Sequence, residues 1–553
     1  MSDQPTKRAT PSESAVEHVD AVVIGAGFCG LYMTKRLRDM GLSLRAFDAG
    51  EDVGGVWNWN RYPGARTDSP HHTYRFTFAD DLLAEWEYSE KFPTQPEVLA
   101  YLRHVADIYD LRGHYTLNTR VESAVLDEDT GRWVFTTDAG EKVSATYFVT
   151  GLGLVSDPVR PDYPGLDDFE GEVYHTTSWP HHDVDLKGKR IALIGTGSSG
   201  IQITPKLAEV AGRLTVFQRT PNYVVPTGNR PVDDEDRAEI RDNYDDVRRR
   251  VRTSPSAFPF EPSVGRLAVQ TPEEERERIF EQMWRRGGFS FLYESFDDLS
   301  IDPKANEMAC DFIRRKIRSI VEDPATAEAL CPTYPYGAKR PPTGDGYYEA
   351  FNLPHVSLVN LRETPITAVT PNGITTTAGE HEFDVIIFAT GFDVATGSFL
   401  RMDIRGRGGR ELREHWADGP STYLGLTVHG FPNMFMVAGP QSPFANLPPG
   451  AEQEGGWIAE LISSMRSDDI AFVEPTEQAE KEWNQHVHDV AQQSMVMYGE
   501  QANSWFTGAN IEGKPRAFNV YFGGANTYGD KLDEEAASDH QNFQKVNALS
   551  DLR

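Results

Sequence analysis

Two glycine-rich turns of the same design constrain the fold of this 553-residue chain more than any other feature. In the first turn, the apolar run Val19–Ile24 is followed by a helical pattern that opens with Gly25, Gly27 and Gly30. A strand, a G-x-G-x-x-G turn and a helix in this order are typical of a dinucleotide-binding unit. The glycines let the backbone approach a pyrophosphate closely, and the N–H groups of the helix N-terminus bind it. The next apolar run ends in Asp48, 23 positions after Gly25, where a carboxylate can accept hydrogen bonds from both ribose hydroxyls. The first unit is therefore predicted to bind FAD or NAD.

The second turn repeats the pattern with a different ending. The run Arg190–Ile194 leads into Gly195, Gly197 and Gly200, and a helix and a second apolar run follow. This run is followed by Arg219, 24 positions after the first glycine of its turn. An acidic residue there would repel a 2′-phosphate, whereas an arginine can form a bidentate contact with it. The second unit is predicted to bind NADP, and two different dinucleotides indicate a flavin enzyme that is reduced by NADPH.

The two units are predicted to form two Rossmann-like domains of the α/β class, since 553 residues exceed what one hydrophobic core supports. Each unit closes with a further apolar run, at 145–153 and at 383–393, so the second domain interrupts the first. Charged helical segments predict a helical insertion in the NADP domain at about 230–335. The predicted order is a disordered lead (1–17), the first part of the FAD domain (18–153), the NADP domain (154–384), the second part of the FAD domain (385–530) and a C-terminal tail (531–553).

Charge and cysteine content exclude several classes of protein. The formal net charge of −30 argues against a nucleic-acid surface, which needs a basic stripe, and is typical of solubility. The three cysteines form no CxxC pair, which argues against a disulfide framework, a Cys-rich metal site and a flavin-dependent disulfide reductase. The polar N-terminus has no secretory signal, and no apolar run approaches the roughly 18 residues of a membrane helix. We expect a cytoplasmic protein, and monomer and small homo-oligomer both stay open.

Two loops outside the glycine turns carry further candidate site residues. The segment "GGVWNWNRYPGARTD" follows Asp48 closely, and its Trp57 and Trp59 offer flat apolar contact beside the fixed charge of Asp68. The segment "PYGAKRP" holds two adjacent cations, Lys339 and Arg340, in an acidic protein. The first loop can wrap a flavin and the second can bind an anion. Ordinary surface loops remain the alternative for both.

The motifs together resemble the type I Baeyer–Villiger monooxygenases, from about residue 18 to 530. The segment "FEGEVYHTTSWP" between the two units matches the fingerprint F-x-G-x-x-x-H-x-x-x-W-[P/D] of that family at Phe169, Gly171, His175, Trp179 and Pro180. A second family pattern, G-x-W-x-x-x-x-Y-P-G-x-x-x-D, is matched by Gly55, Trp57, Tyr62, Pro63, Gly64 and Asp68. Several motifs in the family's order make the resemblance specific.

The resemblance implies that NADPH reduces FAD and that the reduced flavin forms a C4a-peroxyflavin with O2. Attack on a ketone then gives an ester or a lactone through a Criegee intermediate. The segment "GPQSPFANLPPG" is similar to the substrate loop of members that act on cyclic ketones. The alternative is a flavin-containing monooxygenase that oxygenates nitrogen or sulfur, although Asp68, Trp179 and Arg340 favour the first class.

The resemblance also implies roles for individual residues. Arg340 matches the catalytic arginine and Asp68 the carboxylate that positions it, while Phe444 and Leu447 fall near the substrate. The predicted FAD contacts are Gly25, Gly27, Gly30, Asp48, Val56, Trp57, Asp68, Tyr74 and Val121. The predicted NADP contacts are Gly195, Thr196, Gly197, Ser198, Ser199, Gly200, Gln202, Arg219, Thr220, Lys339, Arg340 and Trp505.

The histidines are interpreted as structural. In the family, the fingerprint lies in the linker between the two domains, so His175 is predicted to be a hydrogen-bonding linker residue rather than a general base. No second ligand at metal spacing accompanies it, so no metal site is predicted. The pairs 71–72 and 181–182 are predicted to lie on the surface.

Overall fold

The computed structural model describes residues 16–260 and 265–552, and most of the predicted N-terminal lead lies outside these ranges. The strands are β1 (Glu17–Ile24), β2 (Leu44–Phe47), β3 (Tyr115–Thr116), β4 (Val121–Asp127), β5 (Arg132–Thr137), β6 (Lys142–Thr150), β7 (Glu172–His175), β8 (Arg190–Ile194), β9 (Arg213–Gln218), β10 (Val356–Asn360), β11 (Ile366–Thr370), β12 (Gly373–Thr376), β13 (Gly379–Glu382), β14 (Val385–Phe388), β15 (Asp403–Arg405), β16 (Met434–Met436), β17 (Phe472–Pro475) and β18 (Phe543–Val546). The α-helices are α1 (Phe28–Asp39), α2 (Val56–Trp59), α3 (Asp80–Glu85), α4 (Gln95–Ile108), α5 (Ser198–Val210), α6 (Asp234–Thr253), α7 (Glu273–Arg286), α8 (Ser290–Tyr293), α9 (Pro303–Ile320), α10 (Pro324–Leu330), α11 (Gly397–Arg401), α12 (Leu412–His415), α13 (Leu447–Ser467), α14 (Glu477–Gln492) and α15 (Ala525–Ala537).

The first glycine turn belongs to an eight-stranded sheet with the order β15-β4-β5-β6-β1-β2-β3, in which β16 also pairs with β6. The central pairs β1–β2 and β1–β6 are parallel, as a dinucleotide-binding unit requires. The hairpin strands β4 and β5 are antiparallel additions to this core. Because β16 pairs in parallel with β6, the chain returns to the first sheet after it has built the second.

The second glycine turn belongs to a five-stranded parallel sheet with the order β10-β9-β8-β14-β7. Strand β14 is hydrogen-bonded to β8 on one side and to β7 on the other. The second sheet therefore extends to Phe388, beyond the predicted domain boundary at 384/385. The helices α6 to α10 run from Asp234 to Leu330, inside the predicted insertion.

The C-terminal segment is folded rather than a tail. Helix α15 continues to Ala537, and β18 pairs antiparallel with β17. The carbonyl of Leu532 accepts a hydrogen bond from Trp457 Nε1 at 3.1 Å, and the Leu532 side chain is buried. The prediction of a tail over 531–553 is thus corrected, because this segment supplies apolar side chains to the core of the first domain.

The chain crosses between the two domains twice, and the two crossings lie side by side. The amide of Ala395 donates to Leu154 O at 2.9 Å, and the amide of Asp393 donates to Asp157 O at 2.7 Å. The amide of Val159 donates to the carbonyl of Gly391 at 3.0 Å, which extends this ladder. The two connections form a short double-stranded junction.

Candidate active site

Both glycine turns have the backbone geometry that a dinucleotide-binding turn needs. Gly25 and Gly195 have the same φ of +112°, a region that L side chains rarely adopt. A Cβ on Gly30 would lie 1.8 Å from the carbonyl oxygen of Gly25, and a Cβ on Gly200 would lie 2.1 Å from that of Gly195. Each third glycine thus lets its helix pack against the turn, and α1 and α5 start directly above it. The two turns fit a bound pyrophosphate.

The second turn is open where a phosphate would approach. Among the described residues, nothing lies within 4 Å of a Cβ built on Gly197, which precedes the exposed Ser198 at the start of α5. The Thr196 hydroxyl donates to Thr220 O at 3.0 Å, and this bond ties the turn to the end of β9. The predicted contacts Thr196, Ser198, Ser199 and Thr220 thus surround one helix N-terminus.

Asp48 lies at the end of β2, beside the first turn. Its Oδ2 accepts from the amide of Ala26 at 2.7 Å and its Oδ1 from the amide of Gly50 at 2.6 Å. Burial raises the pKa of the Asp48 carboxyl, and the two amide hydrogen bonds and Arg120 oppose that shift. Each oxygen keeps a lone pair for a further donor, so the carboxylate can still accept from a ribose.

The segment 54–68, called the aromatic loop below, packs against the first glycine turn. Trp57 Nε1 donates to Tyr74 OH at 3.1 Å, and the two rings meet edge to face at 5.6 Å. The carbonyl of Trp57 accepts from Gln95 Nε2 at 2.6 Å, a contact without a sequence signal. Val56 is the first residue of α2, and Val121 is the buried first residue of β4.

Arg340 forms an ion pair with Asp68 through its Nη2. Its guanidinium also lies 5.2 Å from the centroid of the Phe289 ring, which comes from the helical insertion. Arg340 and Asp68 are separated by most of the NADP domain in sequence, yet the fold joins the two predicted catalytic residues in one contact. Phe289 was missed because its position depends on how the insertion packs over "PYGAKRP".

Lys339, next to Arg340, faces two other cations. Burial, followed by the charges of Arg219 and Arg362, lowers the pKa of Lys339 to about 7. Its Nζ lies 5.7 Å from the centroid of the Tyr334 ring. No carboxylate of the described residues forms an ion pair with Lys339, Arg219 or Arg362. Arg219, Thr220 and Lys339 are thus brought together as predicted for an anion pocket, and Arg362 was not predicted.

Gln202, a predicted NADP contact, is hydrogen-bonded to the first domain. Its Oε1 accepts from Tyr62 OH at 2.8 Å and its Nε2 donates to Arg66 O at 3.1 Å. Both partners belong to the aromatic loop of the first domain. Both polar atoms of Gln202 therefore take part in a contact between the domains.

The fingerprint segment lies at the domain junction. His175 ends β7, and its Nε2 lies 3.1 Å from Val159 O and 3.2 Å from Thr390 Oγ1, one on each crossing connection. Its Nδ1 accepts from the amide of Thr177 at 3.3 Å. Burial lowers the pKa of His175, so the neutral ring is favoured. These contacts are those of a linker residue.

The other fingerprint residues have packing roles. Phe169 and Trp179 are buried, and the amide of Trp179 donates to Trp59 O at 3.3 Å across the domain boundary. A Cβ on Gly171 would lie 2.4 Å from the carbonyl oxygen of Asp384. Pro180 follows directly at the end of the segment.

Phe444 and Trp505 belong to one aromatic group. Their ring centroids lie 6.1 Å apart, and Phe444 also packs on Phe506 at 4.9 Å. Leu447 is the first residue of α13 and contacts the core of the first domain. The predicted substrate contact Phe444 and the predicted NADP contact Trp505 thus form one apolar wall.

The prediction of two surface histidine pairs is half wrong. His181 and His182 are exposed, but His71 is buried, with its ring 5.1 Å from that of His72. Burial lowers the pKa values of both members of the first pair. Helix α6 covers them: Tyr244 OH donates to His72 O at 2.7 Å.

Two further kinds of feature, a metal-ligand cluster and a membrane-spanning helix, are not found in the described part of the chain. No group of three or more His, Cys, Asp or Glu side chains in 16–260 and 265–552 is arranged to hold a metal ion. In the same ranges, no helix combines the length and apolar composition that crossing a membrane requires. Two cavities of about 370 and 380 Å³ flank α14, away from Arg340.

The fold and the site together define a flavoprotein oxidoreductase with two dinucleotide-binding domains. A family model described as flavin-binding monooxygenase-like matches residues 19–233. A Baeyer–Villiger monooxygenase of Pseudooceanicola batsensis is 46% identical over 92% of this chain and 93% of its own length. A phenazine N-monooxygenase of Lysobacter antibioticus is 45% identical over 95% of this chain and 97% of its own length.

The comparison with solved structures agrees with the comparison of sequences. The NADP+-bound cyclohexanone monooxygenase of Rhodococcus sp. Phi1 superposes with a TM-score of 0.94 and 45% identity, covering 97% of this chain and 100% of that chain. The chain belongs to the Baeyer–Villiger monooxygenases, a family of oxidoreductases that use FAD, NADPH and O2. The predicted fold class, family and cofactors are confirmed.

Proposed function

We propose that the enzyme converts a cyclic ketone into a lactone, with NADPH, a proton and O2 consumed and NADP+ and water released. The ion pair between Arg340 and Asp68, held beside both glycine-turn domains, is the observation that carries this proposal. FAD and NADPH, when bound, supply the reduction and the activation of O2. The residues of the chain bind and orient the reactants and stabilise negative charge.

Arg340 would stabilise the charge that develops on the ketone oxygen. A guanidinium keeps its proton at any working pH, and preorganised charge of this kind is worth most where water is excluded. The guanidinium is paired with Asp68 and lies over the ring of Phe289, so little rearrangement is needed when charge develops. Asp68 is therefore a positioning residue in this proposal.

The predicted substrate wall is apolar. Phe444 and Trp505 present aromatic surface, and Leu447 lies close in sequence. An apolar ring with a single carbonyl group matches such a wall, because only its oxygen needs a polar partner. The similarity to a cyclohexanone monooxygenase supports the same substrate class.

Oxygenation of an aromatic nitrogen is the second candidate, since a phenazine N-monooxygenase covers 95% of the chain at 45% identity. The deciding experiment measures NADPH consumption with cyclic ketones of different ring sizes, linear ketones and phenazine, and identifies each product by mass spectrometry. Lactone formation supports the first proposal. Exclusive N-oxide formation would replace it with the second.

We also propose a cytoplasmic location. The three cysteines, Cys29, Cys310 and Cys331, are free and buried, as a reducing compartment allows. Fractionation of the source cells with an antibody against the protein tests this location.

A further inference from the structure

We propose that Arg362 is a third cation of the 2′-phosphate pocket and sets, together with Arg219 and Lys339, the preference for NADP over NAD. The inference rests on the proposed assignment of the second domain to NADP. The new element is Arg362, which follows the end of β10 and is far in sequence from Arg219. We assign Arg362 a role in cofactor specificity.

The register of the second sheet places the two arginines side by side. Strands β9 and β10 are parallel neighbours, with Gln218 opposite Asn360. The amide of Leu361 donates to Gln218 O at 2.8 Å, so the pairing continues to the carboxyl ends of both strands. Arg219 follows the end of β9 directly, and Arg362 follows the end of β10 after Leu361. Both lie at the edge where open α/β sheets bind their ligands.

Arg362 and Asn503 converge on the buried hydroxyl of Thr220. Arg362 Nη2 lies 3.4 Å from Thr220 Oγ1, and Asn503 Nδ2 lies 3.0 Å from it. Because both nitrogens are donors, the Thr220 oxygen is the acceptor and its own proton is available for a further acceptor. The guanidinium, the hydroxyl and Lys339 therefore offer donors to one anion.

The positive charges of this pocket also favour a phosphate as its ligand. Arg219 and Arg362 both lower the pKa of Lys339, so each lies close enough to repel its ammonium group. The contacts of these cations are with neutral groups. Tyr334 presents its ring to Lys339, and Arg219 Nη2 donates to the carbonyl of Asn510 at 3.3 Å. Arg219, Arg362 and the protonated form of Lys339 have no carboxylate partner among the described residues, so they repel one another until an anion binds. A phosphate monoester with a charge between −1.5 and −2 matches this arrangement.

A purely structural role of Arg362 can be distinguished from a contact with the 2′-phosphate. If Arg362 only anchored Thr220, its loss would disturb the turn at Gly195–Gly200 and would weaken NADP+ and NAD+ alike. A contact with the 2′-phosphate affects NADP+ alone, because NAD+ lacks that group. The ratio of the two dissociation constants separates the two roles.

The test is isothermal titration of the FAD-loaded enzyme with NADP+ and, separately, NAD+. In Arg362→Gln we expect the Kd for NADP+ to rise about tenfold, the effect of losing one charge-assisted hydrogen bond, with the Kd for NAD+ unchanged. Arg362→Lys should restore part of the affinity, because it keeps the charge without the fork geometry. Lys187→Gln is the matched control, since Lys187 is exposed in the turn before β8, at the opposite edge of the sheet.

A second readout follows the proton on Lys339. With Arg362 neutralised, Lys339 loses one repulsive neighbour, so the loss of NADP+ affinity at alkaline pH should shift to higher pH in Arg362→Gln.

Unchanged NADP+ affinity in Arg362→Gln, with weakened affinity in Arg219→Gln, overturns the inference and leaves the NADP assignment intact. Unchanged discrimination in Arg219→Gln overturns the assignment and the inference together. Equal weakening of NADP+ and NAD+ in Arg362→Gln shows a structural role and overturns the inference alone.

Discussion

Binding of NADP+ is expected to take up a proton at pH 8. The pKa of Lys339 in the free pocket is about 7, so about one tenth of these side chains are charged at pH 8. The dianionic 2′-phosphate favours the charged form, and complete protonation of the bound state corresponds to an uptake of about 0.9 proton per site. NAD+ lacks this phosphate, so its binding should take up almost none.

Whether NADP+ binding takes up or releases protons depends on the pH. At pH 6 about nine tenths of the Lys339 side chains are already charged, so their uptake falls to about 0.1 proton. The 2′-phosphate itself, with a second pKa near 6, then releases protons when it binds as the dianion. Net uptake at pH 8 should therefore turn into net release at pH 6.

The assay is calorimetric titration of the FAD-loaded enzyme at pH 8 in two buffers of different ionisation enthalpy, HEPES and Tris. The slope of the observed enthalpy against the ionisation enthalpy gives the number of protons. Lys339→Met is the control and should show no uptake. Equal proton numbers for NADP+ and NAD+, or full uptake in Lys339→Met, would refute the assignment of the proton to Lys339.

Four substitutions test other parts of the site. Arg340→Ala should leave flavin reduction by NADPH within about tenfold in stopped-flow absorbance but lower lactone formation by at least about a hundredfold, and full lactone yield would contradict its role. Arg219→Ala should raise the KM for NADPH by about 10- to 100-fold and change that for NADH far less. His175→Ala should keep FAD bound, by its visible spectrum, yet lower the ratio of lactone formed to NADPH consumed. Gly200→Ala would place a Cβ 2.1 Å from a backbone oxygen and should destabilise the protein by about 1–3 kcal/mol in thermal melts, whereas Gly113→Ala, with open space around the added carbon, should not.

The features that were predictable from the sequence are local. The turn at Gly25 and the turn at Gly195 each carry strand, glycines and helix within one short segment, so their backbone geometry follows from residue type. The pairing of Arg340 with Asp68 was expected only through the family resemblance. Nothing in the spacing of either loop implies that contact.

The features that were missed depend on long-range pairing. Arg362 reaches Thr220 across 142 residues, and only the register of β10 against β9 brings them together. The motif predicts Gln202 as an NADP contact, and nothing in that motif implies its hydrogen bond to Tyr62 of the first domain. His71 is buried because helix α6 packs over it, and Asp236 of that helix lies 3.8 Å from His71 Nε2.

Because the two crossing connections lie side by side, the chain enters and leaves the second domain at one place. Its entry at Asp157 and its exit at Asp393 are joined by a backbone hydrogen bond of 2.7 Å, so the ends of the excised piece and of the remaining domain are already adjacent. Insertions with adjacent ends are the ones that proteins exchange without loss of fold. A chimera cut at these two positions should therefore accept the corresponding domain of an NADH-dependent relative and exchange cofactor preference as a unit.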